Sequence, residues 1–406
     1  MDEPKCARLC GISAELSMDR LSVLPDDILH AVLSRLKARQ VVRMCVLSTR
    51  WRHLWRSVPC LHIDQREFYA VAGATDGSLV ERQRFKNFAH VLLHRHDVAL
   101  LEEFRLLVST SSFMGRHAYS WVRRGICQDE TWPSRLKKLH LTNVFLDGYF
   151  ARHISSRCPA LEDVHLENCS YLLTEDTSVT FSSLKKLVII GFRQVEDDSF
   201  GLFLEAPALA SLGLAGHYNR ICGGWPQDCM PSLVDASIRL TVSKEFNYNN
   251  NEENNPIEMQ LSLLDELFNV TSLHLSRFGV MFLVLGYDEG LYFPEFKNLK
   301  MLSLVECDIS DDFLTLEHFL RSSANLEKLT LRCCKLLDPR PRRSRKEIME
   351  KAHSYSQDMV SVECKNLRLT EIIYQDDDDS THLLVKFLLG MSKNMPNNKI
   401  EITKVN

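Results

Sequence analysis

The chain has no apolar run near the ~20 residues that a membrane-spanning helix needs; its longest, Phe278 to Leu285, is far too short. The first eighteen residues carry Asp2 and Glu3 and lack the apolar centre of a secretory signal. No glycine-rich phosphate loop of either common type occurs, nor a GxSxG elbow, nor an HExxH helix. Neither sign of charge dominates, with a net −4 and a pI near 6.4, which gives no global pull toward nucleic acid or an anionic membrane. The 13 cysteines are odd in number and form no CxxC pair. Without a secretion signal they read as free thiols of a reducing compartment, cytoplasm or nucleus.

What is present is ordinary globular material, 45% hydrophobic and 25% charged over 406 residues, enough for two or three units. Residues 1–18 read as a leader without core. From Asp19 the pattern turns helical. Pro25 suits a first helical turn, and Asp26 and Asp27 face the positive end of the helix dipole. Ile28, Leu29, Val32, Leu33 and Leu36 follow at helical spacing. A second helix is predicted from Ala38 to about Leu47, with Val41, Val42, Cys45 and Val46 inward. A third, capped by Ser48, would carry Trp51, Leu54 and Trp55 on one face. Three short helices cannot bury this much apolar surface among themselves, so a partner is expected to cover the remainder. The arginines of this stretch admit a helix-turn-helix, but Trp and Leu stand where a reader of base edges presents polar groups.

The order Leu24-Pro25, Ile28-Leu29, Leu33, Leu36, Val46, Trp51-Arg52, Leu54-Trp55 resembles the F-box, placed here at residues 19–58. The resemblance implies docking onto a Skp-family adaptor and, through it, a cullin. The residues it assigns to that surface are Leu21, Leu24, Pro25, Ile28, Leu29, Val32, Leu33, Leu36, Val46, Trp51, Leu54 and Trp55.

Beyond Trp132 a pattern close to L-x-x-L-x-L recurs. It begins at Leu136, Leu161, Leu184, Leu209, Leu233, Val270, Leu299 and Leu326, with spacings of 25, 23, 25, 24, 37, 29 and 27 residues. That is the leucine-rich-repeat period: each unit supplies one strand and a return, and stacked units bury a common core. Pro159, Pro207 and Pro231, two residues before a first leucine, are read as extended approaches. Cys169, Cys307 and Cys334 fall at the small buried position under the turn. The long gap holds a polar insert at 244–256, and residues 59–132 read as irregular first repeats with a helix from about Leu79 to Val98.

With leucines inward, alternation turns the intervening residues outward. The outward set proposed to meet a target protein is Lys138, His140, Asp163, His165, Glu167, Lys186, Asp235, Arg239, His274, Lys328 and Arg332. Among residues outside this set, Ser276 is also placed outward. Residues 339–346 form a basic loop and Asp376 to Asp379 an acidic one, both read as solvated. The histidines at 90, 94 and 96 lack an acidic companion at ligand spacing. No cofactor or metal is expected. Residues 347–406, with a strand to Tyr374, a helix near Ser380 to Ser392 and a strand at Lys399 to Ile402, resemble the FBD ending of plant-type F-box/leucine-rich-repeat proteins. It is expected to cap the last repeat.

The expected fold is thus α/β: a three-helix F-box, a leucine-rich-repeat solenoid with a curved parallel sheet, and a strand-helix-strand cap. The resemblance implies a non-catalytic substrate receptor of a cullin-based, SCF-type ubiquitin ligase. The alternative is a repeat scaffold outside any ligase.

Overall fold

A computed structural model describes residues 23–405 except 48, 71–76, 110–111, 127–133, 172–176, 192, 195–201, 217–229, 241–260, 262, 279–292, 311–312, 337–363, 376–380 and 392–394. The polar insert, the basic loop, the acidic loop, Leu21 and Ser48 therefore lie outside the described residues.

Helix α1 (Asp26–Leu33) starts directly after Pro25 and carries Asp26 and Asp27 in its first turn. Helix α2 (Ala38–Arg43) ends four residues earlier than the sequence pattern indicates and passes into a tighter turn, Met44–Val46. That tightening rotates Val46 outward, where it is 87% exposed instead of packed inside. Helix α3 (Trp51–Leu54) begins after Arg50, with no side-chain cap at its start.

Twelve strands then build one parallel sheet in chain order. They are β1 (Cys60–Asp64), β2 (Glu103–Leu107), β3 (Lys138–Thr142), β4 (Asp163–Glu167), β5 (Lys186–Ile190) and β6 (Ser211–Gly216). The series continues with β7 (Asp235–Leu240), β8 (Ser272–Ser276), β9 (Met301–Val305), β10 (Lys328–Arg332), β11 (Leu369–Tyr374) and β12 (Lys399–Lys404). All eight units read from the leucine pattern supply a strand. The returns include helices α4 (Leu79–Arg95), α5 (Ser112–Ile126), α6 (Phe150–Arg157), α7 (Leu314–Arg321) and α8 (Thr381–Gly390).

The core runs down the solenoid as aligned columns. Leu139, Val164, Leu187, Leu212, Ala236, Leu273, Leu302 and Leu329 are in register on neighbouring strands and are all buried. Burial of this kind is worth roughly 25 cal/mol per Å² of apolar surface, and stacking supplies what one unit cannot bury alone.

Hydrogen bonds repeat with the same period. The carbonyl before each of β1 to β10 accepts two N–H groups from the next unit: Glu102 O accepts from Lys137 and Lys138, and Lys300 O from Glu327 and Lys328. The residue after many strands has a left-handed φ, namely Asn143, Asn168, Gly191, Arg277, Glu306 and Cys333. Each donates its N–H to the end of the next strand, which closes the ladder.

One expectation is corrected. Pro159, Pro207 and Pro231 are not extended: each is the second residue of a hydrogen-bonded turn, in which Leu161, Leu209 and Leu233 donate to Cys158, Ala206 and Met230. The fixed φ of proline suits that turn position. The C-terminal unit has the expected strand-helix-strand order, with Leu384 and Leu388 of α8 buried. Strands β11 and β12 add two further parallel rungs, and β12 is a mostly exposed edge in which Lys399, Glu401 and Lys404 place charge. Charge is one way in which an open edge resists pairing with other chains.

Candidate functional site: an apolar helical face and a polar sheet face

The residues assigned to the adaptor surface separate into two groups. Leu29, Leu33, Trp51, Leu54 and Trp55 are buried in the chain's own core, and Trp55 Nε1 donates to Arg52 O at 3.1 Å. They shape the module and offer no surface, which corrects their place in the docking set. Leu24 and Leu36 are half-buried against that core. Pro25, Ile28, Val32 and Val46 face outward, joined by Val23 and Leu47, which the sequence reading missed. Ile28 and Val32 are each 48% exposed, one turn apart on α1. The helix thus has two apolar faces, and only one is used internally.

The module is fastened to the first rung. Lys37 Nζ lies 2.7 Å from Asp64 Oδ2 at the end of β1, and Arg66 also binds that carboxylate at 2.9 Å. Arg39 donates to Glu67 O and stacks 4.4 Å over Phe68. His96, which closes α4, has Nε2 3.0 Å from Val58 O. His94 receives a bond from Arg124. The histidines thus serve the packing of α4, and no group of three potential ligands gathers among the described residues.

Along the other face of the sheet the outward positions form rows. The middle row begins His62, Arg105, His140, His165 and then turns small with Val188, Gly213 and Ser237 before His274. His62, Arg105 and Glu103 were missed because their strands lie in the irregular first units, although Leu61-x-Ile63 and Phe104-x-Leu106 alternate as the others do. His62 Nε2 lies 2.9 Å from Glu103 Oε1. That bond, with Arg105 alongside, holds the Glu103 carboxyl down at about 2. Burial lowers the pKa of His140, whose Nε2 is 3.4 Å from Asp163 Oδ1. Burial likewise lowers that of His274.

Of the remaining target-facing candidates, Lys186, Asp235, Arg239 and Arg332 are exposed, as is Lys138, while His165, Glu167 and Lys328 are half-exposed. Lys328 is paired with Glu371 at 2.9 Å. Ser276, placed outward by alternation, is buried instead. Cys169 and Cys307 are buried as the repeat pattern predicts, while Cys334 is half-buried. Cys169, Cys307 and Cys334 direct Sγ to carbonyls of the preceding unit at 3.4–3.5 Å, and burial pushes Cys169 up to about 12 and Cys307 up to about 11. Thiols so placed are inert packing groups.

A helical module with a spare apolar face, joined to a stack of leucine-rich rungs, defines the class of F-box/leucine-rich-repeat proteins. The F-box domain family matches residues 21–63, and a family described as "FBD-associated F-box protein At5g56370, LRR repeats" matches residues 244–404. The chain is 30% identical to the MEIOTIC F-BOX protein MOF of Oryza sativa subsp. japonica, over 94% of this chain and 85% of that protein. It is 25% identical to the putative F-box/FBD/LRR-repeat protein At5g22670 of Arabidopsis thaliana, over 78% of this chain and 77% of that one. It is also 26% identical to the F-box/LRR-repeat protein At4g14103 of Arabidopsis thaliana, over 77% of this chain and 91% of that one. The chain belongs to the plant F-box/FBD/LRR-repeat family. Proteins of this family are generally non-catalytic substrate adaptors of SCF-type ligases, and F-box domains generally bind Skp-family adaptors. No described helix is long and apolar enough to cross a membrane.

Proposed function

We propose that this chain is the substrate-recognition subunit of an SCF-type ubiquitin ligase. The carrying observation is the exposure of Ile28, Val32, Val46 and Leu47 on a module whose own core is already complete. In this reading those side chains, with Pro25 and the half-buried Leu24, dock a Skp-family adaptor that brings a cullin. The rows of the sheet face hold a target protein, and the chain's contribution to ubiquitin transfer is proximity. The free thiols among the described cysteines accord with action in cytoplasm or nucleus.

Co-expression with a Skp-family adaptor tests the docking. The wild-type chain should co-purify with it at near-equal amount, and Ile28→Asp with Val32→Asp should abolish that while leaving the melting temperature within a few degrees. A wild-type chain that purifies without adaptor would leave a repeat scaffold outside any ligase.

A further inference from the structure

The two ends of the solenoid are finished differently. At the first rung Leu61 and Ile63 of β1 have no strand before them, yet they are only 4% and 2% exposed, with α2 of the F-box packed on that strand. At the last rung the same columns end in Ile400 and Ile402 of β12, the first half-buried and the second 50% exposed. The helix beside that rung is open on the same side. Phe387 of α8 reaches back to Phe313, in the return after β9, with ring centroids 5.1 Å apart. Residues two places away on a helix stand about 200° round the axis, so Val385 and Leu389 face forward. Leu389 is 57% exposed and Val385 half-buried, and among the described residues no further rung covers them.

Strand β12 also offers an open ladder. Lys399 N–H donates to Arg368 O and Val405 N–H to Tyr374 O, so alternation turns the N–H and C=O groups of Ile400 and Ile402 to the free edge. Such an edge accepts another strand, and the charges along it decide which one. Lys399 and Glu401 flank Ile400 on the outward face, both exposed. A second copy of β12, run antiparallel about a two-fold axis at Ile400, sets Ile400 opposite its own equivalent in a hydrogen-bonded pair. Lys399 then stands opposite Glu401 of the second copy, twice, at the non-hydrogen-bonded positions where side chains come closest. An axis one residue away sets Lys399 on Lys399 or Glu401 on Glu401. A one-residue slip of register turns the isoleucines to the wrong face. Head-to-tail growth would need the edge of β1, which the F-box occupies, so the two-fold arrangement closes at two copies.

We propose that the C-terminal end of the solenoid joins the same end of a second copy of this chain, β12 against β12. Val385, Leu389, Ile400 and Ile402 form the buried seam, and two Lys399–Glu401 pairs fix the register. Within one chain these two side chains hold each other at 2.6 Å, a bond exchanged for its equivalent across the two-fold axis. Such a pair leaves the F-box, at the far end of the array, free to hold its adaptor.

The test is the mass of the full chain by sedimentation equilibrium over a wide range of concentration. The wild type should shift from one copy to two as concentration rises and go no higher. Lys399→Glu and Glu401→Lys each set like charges against one another and should weaken association roughly tenfold or more, with the melting temperature kept. Mixing the two single variants should restore a two-copy species, since an all-lysine edge then meets an all-glutamate one. The double variant, Lys399→Glu with Glu401→Lys, is self-complementary again and should associate like the wild type. A wild type that stays at one copy throughout overturns the proposal. So do single variants that pair as tightly as the wild type, which would put the contact elsewhere, or a mixture that fails to regain the second copy.

Discussion

Lys37 of the F-box places its ammonium 2.7 Å from the carboxylate of Asp64, the last residue of the first rung, and so pins the helical module to the solenoid. Asp64 is the better buried partner, with 8% side-chain exposure against 45% for Lys37, and it also accepts from the Arg66 backbone and guanidinium. Burial alone would raise the Asp64 pKa, but the bonds from Arg66 and Lys37 outweigh it and the direction is downward. Its stabilisation is therefore present above the ordinary aspartate range and is lost as pH falls through the lower folded value. Asp64→Ala should destabilise by about 1.5–3 kcal/mol through lost charged hydrogen bonds. Lys37→Ala should cost under ~1 kcal/mol because its head is solvated. Urea unfolding measures both, and equal effects would contradict the assigned roles.

Burial separates the two faces of α1 into different experiments. Leu29→Ala and Leu33→Ala each empty a fully buried site and should cost about 2–5 kcal/mol. Ile28→Ala and Val32→Ala remove half-exposed groups and should change stability by less than ~1 kcal/mol. Thermal melts of the four variants would refute the orientation of α1 if the order came out reversed.

Why the leucine column was legible and the F-box face was not follows from the number of constraints on each. Leu139, Leu187, Leu302 and their neighbours repeat with a period, so each unit confirms the others. The F-box helices occur once. Their apolar stripe is wide enough to serve both core and surface, and spacing alone cannot divide Leu29 from Ile28. Val46 turned outward because α2 gave way to a tighter turn, a choice set by packing rather than by local pattern. The left-handed residues after the strands were hidden for another reason: Arg277, Glu306 and Cys333 are not types that announce positive φ. A second column was open to reading and missed. Asn269, Asn298, Asn325 and Asn366 each precede the first apolar residue of a unit, and their side chains link Asn298 to Asn269 and Asn366 to Asn325. The Asn-Leu pairs at 298, 325 and 366 were its signal.

Gly191 is the one left-handed position of this column held by glycine, at φ 63°. A Cβ there would stand 2.3 Å from Asn168 Oδ1, the side chain of the equivalent residue one unit earlier. Gly191→Ala should cost at least ~1–2 kcal/mol from backbone conformation alone. Because Asn168 is a side chain that can be shortened, Asn168→Gly in the same molecule should recover part of the loss. Denaturant titration of the single and double variants reads this directly, and no recovery would place the strain elsewhere.

Cys169 and Cys307 are buried thiols pushed far above neutral pH by their surroundings. At pH 8 iodoacetamide should leave both unmodified in the folded protein and modify them quickly in denaturant, as mapped by peptide mass spectrometry. Rapid labelling in the native state would mean that the units open locally or that the thiols serve reactivity. Substitution by alanine should cost ~1 kcal/mol for the small cavity left.

Acid should weaken the solenoid through two buried histidines. Burial lowers His96, at the end of α4, and His318, in α7, to about 4 from an ordinary value of 6.5. Both are neutral in the folded chain over that interval, whereas the unfolded chain takes up a proton at each. The unfolded state then binds more protons, so stability falls as pH drops from about 6.5 toward 4 and is flat with respect to these groups above 6.5. Each unit of pKa difference is 1.36 kcal/mol, which sets a ceiling of roughly 3 kcal/mol per histidine. His318→Phe removes one of these groups while keeping an aromatic ring beside Phe293, 5.5 Å from the histidine ring. The variant should flatten the fall in urea midpoint between pH 6.5 and 4.5 in part, because His96, His140 and His274 still respond, with little change at pH 8. A slope identical to that of the wild type would show that His318 takes up no proton on unfolding and that the acid response has another origin.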